Sequence, residues 1–129
     1  PRNLTIPKPG VFVYDFGQNF TGWVKLRVSG PRGAAVKIRH AEVLYKDGTL
    51  NTAPNRNAEA TEVYILKGEG EEVFEPRFTY HGFQYVELTG FPGTPSLTTI
   101  EGQVVHSAAL SRGNFLCSEP LINQIYQNI

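Results

Sequence analysis

Short runs in which apolar and polar side chains alternate constrain the fold of this chain more than any other feature. Such runs recur between residues 11 and 107, and a period of two places the apolar side chains on one face of a β-strand. The 13 glycines and 9 prolines punctuate these runs, as turn residues do in domains built from short strands. The pattern predicts an all-β chain that forms an antiparallel β-sandwich.

Several strands and their inner faces can be assigned. The predicted inner-face residues of the first two runs are Phe12, Tyr14 and Phe16, followed by Val24, Leu26 and Val28. Residues 30–33, Gly-Pro-Arg-Gly, predict a turn, so we expect residues 23–29 and 36–40 to form a hairpin. Further strands are predicted at 61–67, across an aromatic-rich block at 74–86 with a break at 81–82, and around residues 104–105.

Length and charge exclude some classes of partner. The 129 residues fit one domain. Lys plus Arg and Asp plus Glu are 12 each, which argues against a nucleic-acid-binding surface. No apolar run approaches the roughly 20 residues of a membrane-spanning helix. The only cysteine, Cys117, allows no internal disulfide and leaves the cellular compartment open.

The last 12 residues follow a helical pattern. Ser118 is the predicted N-cap, with Glu119 and Pro120 in the first turn. The apolar residues at helical spacing are Leu121, Ile122, Ile125, Tyr126 and Ile129. We therefore expect residues 1–117 to form the sandwich and 118–129 to begin a linker helix toward a further domain. Its apolar stripe is expected to pack on that domain or to form a dimer.

Four ordered segments resemble those of one family. Residues 15–23, DFGQNFTGW, resemble its D-F-G-Q-N-x-x-G-W signature, and residues 39–42 match its R-H-A-E segment. Residues 78–86, FTYHGFQYV, match its F-T-Y-H-G-F-R-Y-V segment except at Gln84, where Arg is usual. Residues 115–118 with the apolar stripe resemble the linker into its catalytic domain. The family is the bacterial α-L-rhamnosidases, which are glycoside hydrolases.

This resemblance implies a concanavalin-like sandwich of jelly-roll type that precedes a catalytic (α/α)₆ barrel. Family members remove terminal α-L-rhamnosyl groups with inversion, and their catalytic acid and base lie in the barrel. The resemblance thus implies a bacterial domain without catalytic residues that braces the barrel. It leaves open whether the parent is cytoplasmic, periplasmic or secreted.

The carboxylates of the predicted strands are the candidates for catalysis. They are Asp15, Glu42, Glu75 and Glu87. Inverting hydrolysis needs two carboxyl groups about 6.5–9.5 Å apart, and sequence alone does not show whether any two face each other. Glu42 shares a strand face with His40, which favours a structural ion pair or hydrogen-bond network.

No metal or cofactor site is expected. His40, His81 and His106 are widely separated in the sequence and Cys117 is alone, although the three histidines could still converge in space. No D-x-D-x-D loop predicts calcium. The glycines that could line a phosphate loop, Gly17, Gly22, Gly30 and Gly33, fit turns better.

Sugar binding is the strongest functional alternative. Asp15, Gln18, Asn19 and Trp23 combine an aromatic face with hydrogen-bonding groups within one short segment, a composition that suits binding of rhamnose or plant glycans. The competing interpretation places Phe16 and Trp23 in the core or at a domain interface, because buried aromatics dominate sandwich cores.

Overall fold

The computed structural model describes residues 1–110 and 113–128. Its strands are β1 Asn3–Lys8, β2 Val11–Ser29, β3 Ala35–Ala41, β4 Val43–Leu44, β5 Leu50–Asn51, β6 Thr61–Ile65, β7 Glu71–Phe74, β8 His81–Thr89 and β9 Ile100–Val104. A 3₁₀ turn spans Ala53–Asn55 and one helix, α1, spans Pro120–Gln127. All the strand pairs of the described residues are antiparallel. The prediction of an all-β fold with a short C-terminal helix is therefore confirmed.

Strand β2 organises the sheet because it has different neighbours along its length. Its first part, residues 11–15, lies between β1 and β8, whereas residues 22–29 pair with β9 and β7. The main path of the sheet runs β1-β2-β8-β3-β6. Strands β4 and β5 form a separate two-stranded sheet.

A kink divides the two parts of β2. Asp15 is opposite Tyr85 and Phe20 is opposite Phe83, so residues 16–19 lie opposite Gln84 alone. Gly17 has φ of 77° there, a left-handed conformation that suits glycine. The kink lets both parts of one strand contribute to one core.

Twelve buried apolar residues among those described form the main core. Its buried members are Phe12, Tyr14, Val24, Leu26, Val28, Val36, Ile38, Leu66, Phe83, Val86, Leu88 and Ile100. Phe16 packs against this cluster, so both predicted inner faces are confirmed. A smaller cluster joins Val13, Ala41 and Leu50 on the other side of the strands.

The predicted hairpin of residues 23–29 with 36–40 is wrong. Strand β3 pairs with β6 and β8, and β8 lies between β2 and β3. Alternation specifies which face of a strand is buried but not which strand becomes its neighbour. The turn after β2 therefore leads to a strand on the far side of β8.

Three local details also differ from the predictions. His81 and Gly82 begin β8 and do not break a strand. Gly22 lies inside β2, where an added Cβ would overlap the backbone carbonyl oxygen of Gln103; close strand approach, and not a turn, requires glycine there. The N-cap of α1 is Glu119, whose side chain accepts from Leu121 N, so the helix starts one residue later than Ser118 predicts.

Candidate functional site

The kink of β2 is tied to its neighbours by polar side chains from three of the sequence motifs. Asp15 Oδ1 accepts hydrogen bonds from Gly17 N at 2.6 Å and from Gln84 Nε2 at 2.9 Å. Asn19 Nδ2 donates to Glu42 Oε1 at 3.0 Å. The motifs at 15–23, 39–42 and 78–86 thus meet at one place, and their polar groups hold the kink.

Three adjacent strands bring His40, Glu62 and His81 together in a second cluster. His40 Nδ1 lies 3.3 Å from Glu62 Oε2, and His81 Nε2 contacts Glu62 Oε1. The two imidazole rings are 4.5 Å apart at an interplanar angle of 30°. The exposed fractions of the three side chains are 0% for His40, 11% for Glu62 and 15% for His81.

Burial controls the charge of His40. Desolvation lowers its pKa to about 4, against the opposing effect of the nearby Glu62 carboxylate. His40 is therefore neutral at pH 7. Its Nδ1 lies 3.2 Å from the carbonyl oxygen of Ala60, which can only accept, so the hydrogen is on Nδ1 and the lone pair on Nε2.

Two acceptor atoms of this cluster lack a partner. Within the described part of the chain, His40 Nε2 and Glu62 Oε2 are buried and make no hydrogen bond. The 3.3 Å approach of His40 Nδ1 to Glu62 Oε2 meets the distance of an ion pair. It is not a hydrogen bond, because Nδ1–H is directed to Ala60.

The four residues predicted to bind sugar are not brought together. Asp15 is engaged in the kink, while Gln18 and Asn19 are exposed and face Arg2, Gln124 and Asn128 across a shallow pocket. Trp23 lines a different groove. Their role in binding stays a prediction, and any single site would include only part of the set.

The Trp23 groove has a volume of about 970 Å³. It is lined by Trp23 and residues 73–80. Phe78 is fully exposed with φ of 62°, and Tyr80 is 67% exposed. A bulky residue with positive φ is a strained conformation, so the groove places an exposed aromatic ring on a strained backbone.

Glu75 at the edge of this groove is held by two donors. Lys25 Nζ lies 3.0 Å from its Oε1, and Trp23 Nε1 donates to its Oε2 at 3.2 Å. These bonds, the one from Lys25 first, lower the pKa of Glu75. Glu75 is therefore an ionised structural group.

The network predicted around Glu42 exists with different partners. Arg39 Nη1 bonds Glu87 Oε1 at 3.1 Å, and His40 approaches Glu62. Glu42 lies beyond the end of β3 and bonds Asn19 instead. Glu42 therefore makes a structural hydrogen bond, but its partner is Asn19 and not His40.

Helix α1 presents an apolar surface. Its exposed apolar residues are Leu121, Ile122, Ile125 and Tyr126, while the predicted fifth member of the stripe, Ile129, lies outside the described residues. Asn123 anchors the start of the helix through two bonds with the backbone of Cys117. Among the described residues, none of the helical segments combines the length and the apolar character that a membrane span requires.

Glu62 is the functional candidate that sequence reasoning missed. It belongs to none of the four motifs, although His40 and His81 each lie within one. Its position follows from the pairing of β6 with β3, in which Glu62 is opposite Ile38. Finding Glu62 from the sequence would have required a correct prediction that β3 pairs with β6.

Comparison with known proteins identifies similar domains. Residues 6–106 match the profile of the bacterial α-L-rhamnosidase concanavalin-like domain. An α-L-rhamnosidase of Streptomyces avermitilis is 56% identical over 128 residues, which are 99% of this chain and 12% of that protein. An α-L-rhamnosidase of Formosa agariphila is 40% identical over 126 residues, or 96% of this chain and 14% of that protein.

Solved structures show the same fold. The α-L-rhamnosidase from Dictyoglumus thermophilum superposes with a TM-score of 0.95 and 58% identity, over 99% of this chain and 15% of that chain. The Streptomyces avermitilis α-L-rhamnosidase complexed with L-rhamnose gives a TM-score of 0.92 and 56% identity, over 98% of this chain and 12% of that chain. The chain therefore spans less than a sixth of the length of these proteins.

Proposed function

Because the chain belongs to the family of bacterial α-L-rhamnosidase concanavalin-like domains, we propose that it is a non-catalytic accessory domain of a larger α-L-rhamnosidase. One observation carries this proposal: 99% of the chain aligns with only 12% of the Streptomyces avermitilis enzyme. The catalytic groups are assigned to the remaining length, in the barrel that the four motifs implied.

The carboxylates of this domain support a structural role. Glu87 pairs with Arg39, Glu75 with Lys25, and Glu42 accepts from Asn19. A general acid needs a raised pKa, whereas the pKa values of Glu72 and Glu75 are lowered. The parent is proposed to hydrolyse terminal α-L-rhamnosyl groups with inversion, using two carboxyl groups outside this domain.

The proposed accessory role is to brace the catalytic domain through two exposed apolar surfaces. One is the Trp23 groove with Phe78 and Tyr80, and the other is the apolar side of α1. A positive φ at a non-glycine residue costs about 1–3 kcal/mol, and residues with such strain cluster at functional sites. We assign the rest of the parent chain as the partner that packs against both surfaces.

Activity of the purified chain tests the non-catalytic role. We expect no hydrolysis of p-nitrophenyl α-L-rhamnoside above a buffer blank, while an intact α-L-rhamnosidase serves as the positive control. Hydrolytic activity that co-purifies with the 129-residue chain would contradict the proposal.

Substitution in the longer parent tests the bracing surface. Tyr80→Ser should lower the melting temperature of the parent, since it removes an aromatic contact, while leaving that of the isolated domain unchanged. Tyr45→Ser is the matched control, because Tyr45 is also exposed, at 53%, and lies outside the groove. Equal effects of the two substitutions in the parent would remove the groove from the interface.

Carbohydrate binding is the second candidate function. It is favoured by the same groove, where Trp23, Tyr80 and the charged Arg77 combine aromatic faces with a hydrogen-bond donor. Titration calorimetry with L-rhamnose and rhamnogalacturonan oligosaccharides should show saturable heat that Trp23→Ala abolishes. No heat at millimolar sugar leaves the bracing role alone.

A further inference from the structure

The His40, Glu62 and His81 cluster has no part in the bracing or sugar-binding roles. Strand β3 pairs with both β6 and β8, and each of the three strands supplies one member of the cluster. One ligand atom from each residue lies within 4.8 Å of the other two. The set combines two imidazoles with one carboxylate in a largely buried position.

Two unpartnered acceptor atoms indicate that the cluster lacks a hydrogen-bond donor or a cation. His40 Nε2 and Glu62 Oε2 are both acceptors, and neither has a donor among the described residues. A buried polar atom without a partner destabilises the fold, because it has lost its hydrogen bonds to water. A cation that reaches both atoms would supply the missing interaction and offset the charge of Glu62.

The ligand types select the kind of cation. Imidazole nitrogens suit zinc and its neighbours, whereas calcium and magnesium prefer sites made of oxygen atoms. The Ala60 carbonyl accepts from His40 Nδ1, and such an outer hydrogen bond typically fixes a metal-binding histidine in the tautomer that ligates. His81 is 15% exposed, which gives an ion access from solvent.

We propose that His40, Glu62 and His81 bind one divalent transition-metal ion of the zinc class. The ion ties β3, β6 and β8 together and so fixes the edge strand β6 on the sheet. Three protein ligands leave one position for water on a tetrahedral ion. The competing arrangement is a metal-free network in which Glu62 accepts hydrogen bonds from histidine.

Zinc binding to the tag-free purified chain tests this site. After treatment with chelator, zinc chloride is titrated by calorimetry and the melting temperature is recorded with and without the ion. Glu62→Gln keeps the shape of the side chain and removes its charge, and His81→Ala removes one imidazole. His106→Ala is the matched control, because His106 is exposed and lies outside the cluster.

The expected result is one zinc ion per chain with a raised melting temperature. Glu62→Gln and His81→Ala should bind zinc at least about 100-fold more weakly, since loss of even an outer-shell partner costs 10–100-fold. His106→Ala should bind like the unsubstituted chain. The proposal is overturned if the unsubstituted chain shows no saturable binding, or if the two cluster variants bind zinc as tightly as the unsubstituted chain; the metal-free network is then correct. Loss of binding in His106→Ala also overturns it, in favour of a surface histidine.

X-ray absorption of the zinc-loaded unsubstituted chain gives a result that does not depend on the folding of any variant. The spectrum should fit two imidazole ligands together with oxygen. Fewer than two imidazoles would overturn the assignment even if zinc binds with one-to-one stoichiometry.

Discussion

At the scale of single residues, Glu72 shows how a charge is accommodated in this sheet. Its carboxylate accepts from Tyr64 Oη at 2.6 Å, Lys67 N at 3.0 Å and Gly68 N at 2.9 Å. These bonds, led by the one from Lys67 N, lower the pKa of Glu72 to about 2. Glu72 belongs to β7 and is buried, with 7% exposed.

The lowered pKa predicts how stability depends on pH. Ionised Glu72 stabilises the fold fully above its ordinary pKa of 4.5, and this contribution is lost as pH falls toward 2. Glu72→Gln cannot ionise, so its melting temperature should lie below that of the unsubstituted chain at pH 7, and the gap should narrow as pH falls from 4.5. Calorimetry at several pH values measures the gap. The exposed neighbour Glu71 supplies the control Glu71→Gln; a gap for Glu72→Gln that stays constant down to pH 2 contradicts the assignment.

Sequence predicted buried apolar residues better than buried polar ones. Tyr14 and Leu26 follow from alternation alone, since a half-buried strand hides every second side chain. His40 and Glu72 are buried because of donors and acceptors on other strands or loops. Those partners depend on register, which is not contained in the local pattern.

At the scale of elements, the kink of β2 depends on Asp15. Asp15→Ala removes the acceptor for Gly17 N and Gln84 Nε2. We expect a loss of about 1.5–3 kcal/mol in the free energy of unfolding, as for hydrogen bonds to charged groups. Asp15→Asn keeps an oxygen in place and should lose less. Urea denaturation measures both variants, and equal losses would show that the acceptor does not hold the kink.

Close approach of β2 and β9 supplies a second prediction at this scale. In Gly22→Ala the added methyl group would overlap the Gln103 carbonyl, so β9 must move. Overpacking typically costs about 1–3 kcal/mol, and hydrogen exchange of residues 100–104 should accelerate. Gly113→Ala is the control, since its Cβ meets no atom within 4 Å. Unchanged protection of β9 in Gly22→Ala would argue against tight packing at this position.

Elements themselves were predicted well where local chemistry decides them. The helical spacing of Leu121, Ile122 and Ile125 gave α1, and its start was wrong by one residue because Glu119 caps it in place of Ser118. The hairpin was wrong because β9 and β7, both distant in the sequence, pair with residues 22–29 of β2, while β3 pairs with β6 and β8. Turn residues favour a reversal of the chain. They do not prevent a strand from later in the sequence from lying between the two strands that the turn connects.

At the scale of the whole molecule, segments that are far apart in the sequence meet at one end of the sheet. The motif at 15–23 forms the kink, and the motifs at 39–42 and 78–86 supply Glu42 and Gln84 to it. The resemblance to a known family identified these segments in the sequence. It did not show that they are in contact in the fold. Asp15 and Asn19 of the predicted sugar site take part in hydrogen bonds at this place, while Trp23 belongs to a separate groove.

The exposed side of α1 makes a prediction about the molecule in solution. Leu121 and Ile125 are 63% and 51% exposed, and contiguous apolar surface favours association. We expect sedimentation velocity to show association of the isolated chain that grows with concentration, because copies of α1 replace the contact assigned to the parent. Ile125→Glu should abolish it, while changing the free energy of unfolding by no more than about 0.5 kcal/mol, as at other surface sites.

Two controls separate this surface from the core and from charge alone. Gln124→Glu adds the same charge on the side of α1 that faces Arg2, and should leave association intact. Leu26→Ala, in the core, should cost about 2–5 kcal/mol in stability. If Gln124→Glu and Ile125→Glu reduce association equally, net charge and not the apolar side of α1 governs it. If the chain stays monomeric at every concentration, the apolar side of α1 does not mediate association. The Trp23 groove would then be the remaining surface for packing against the parent.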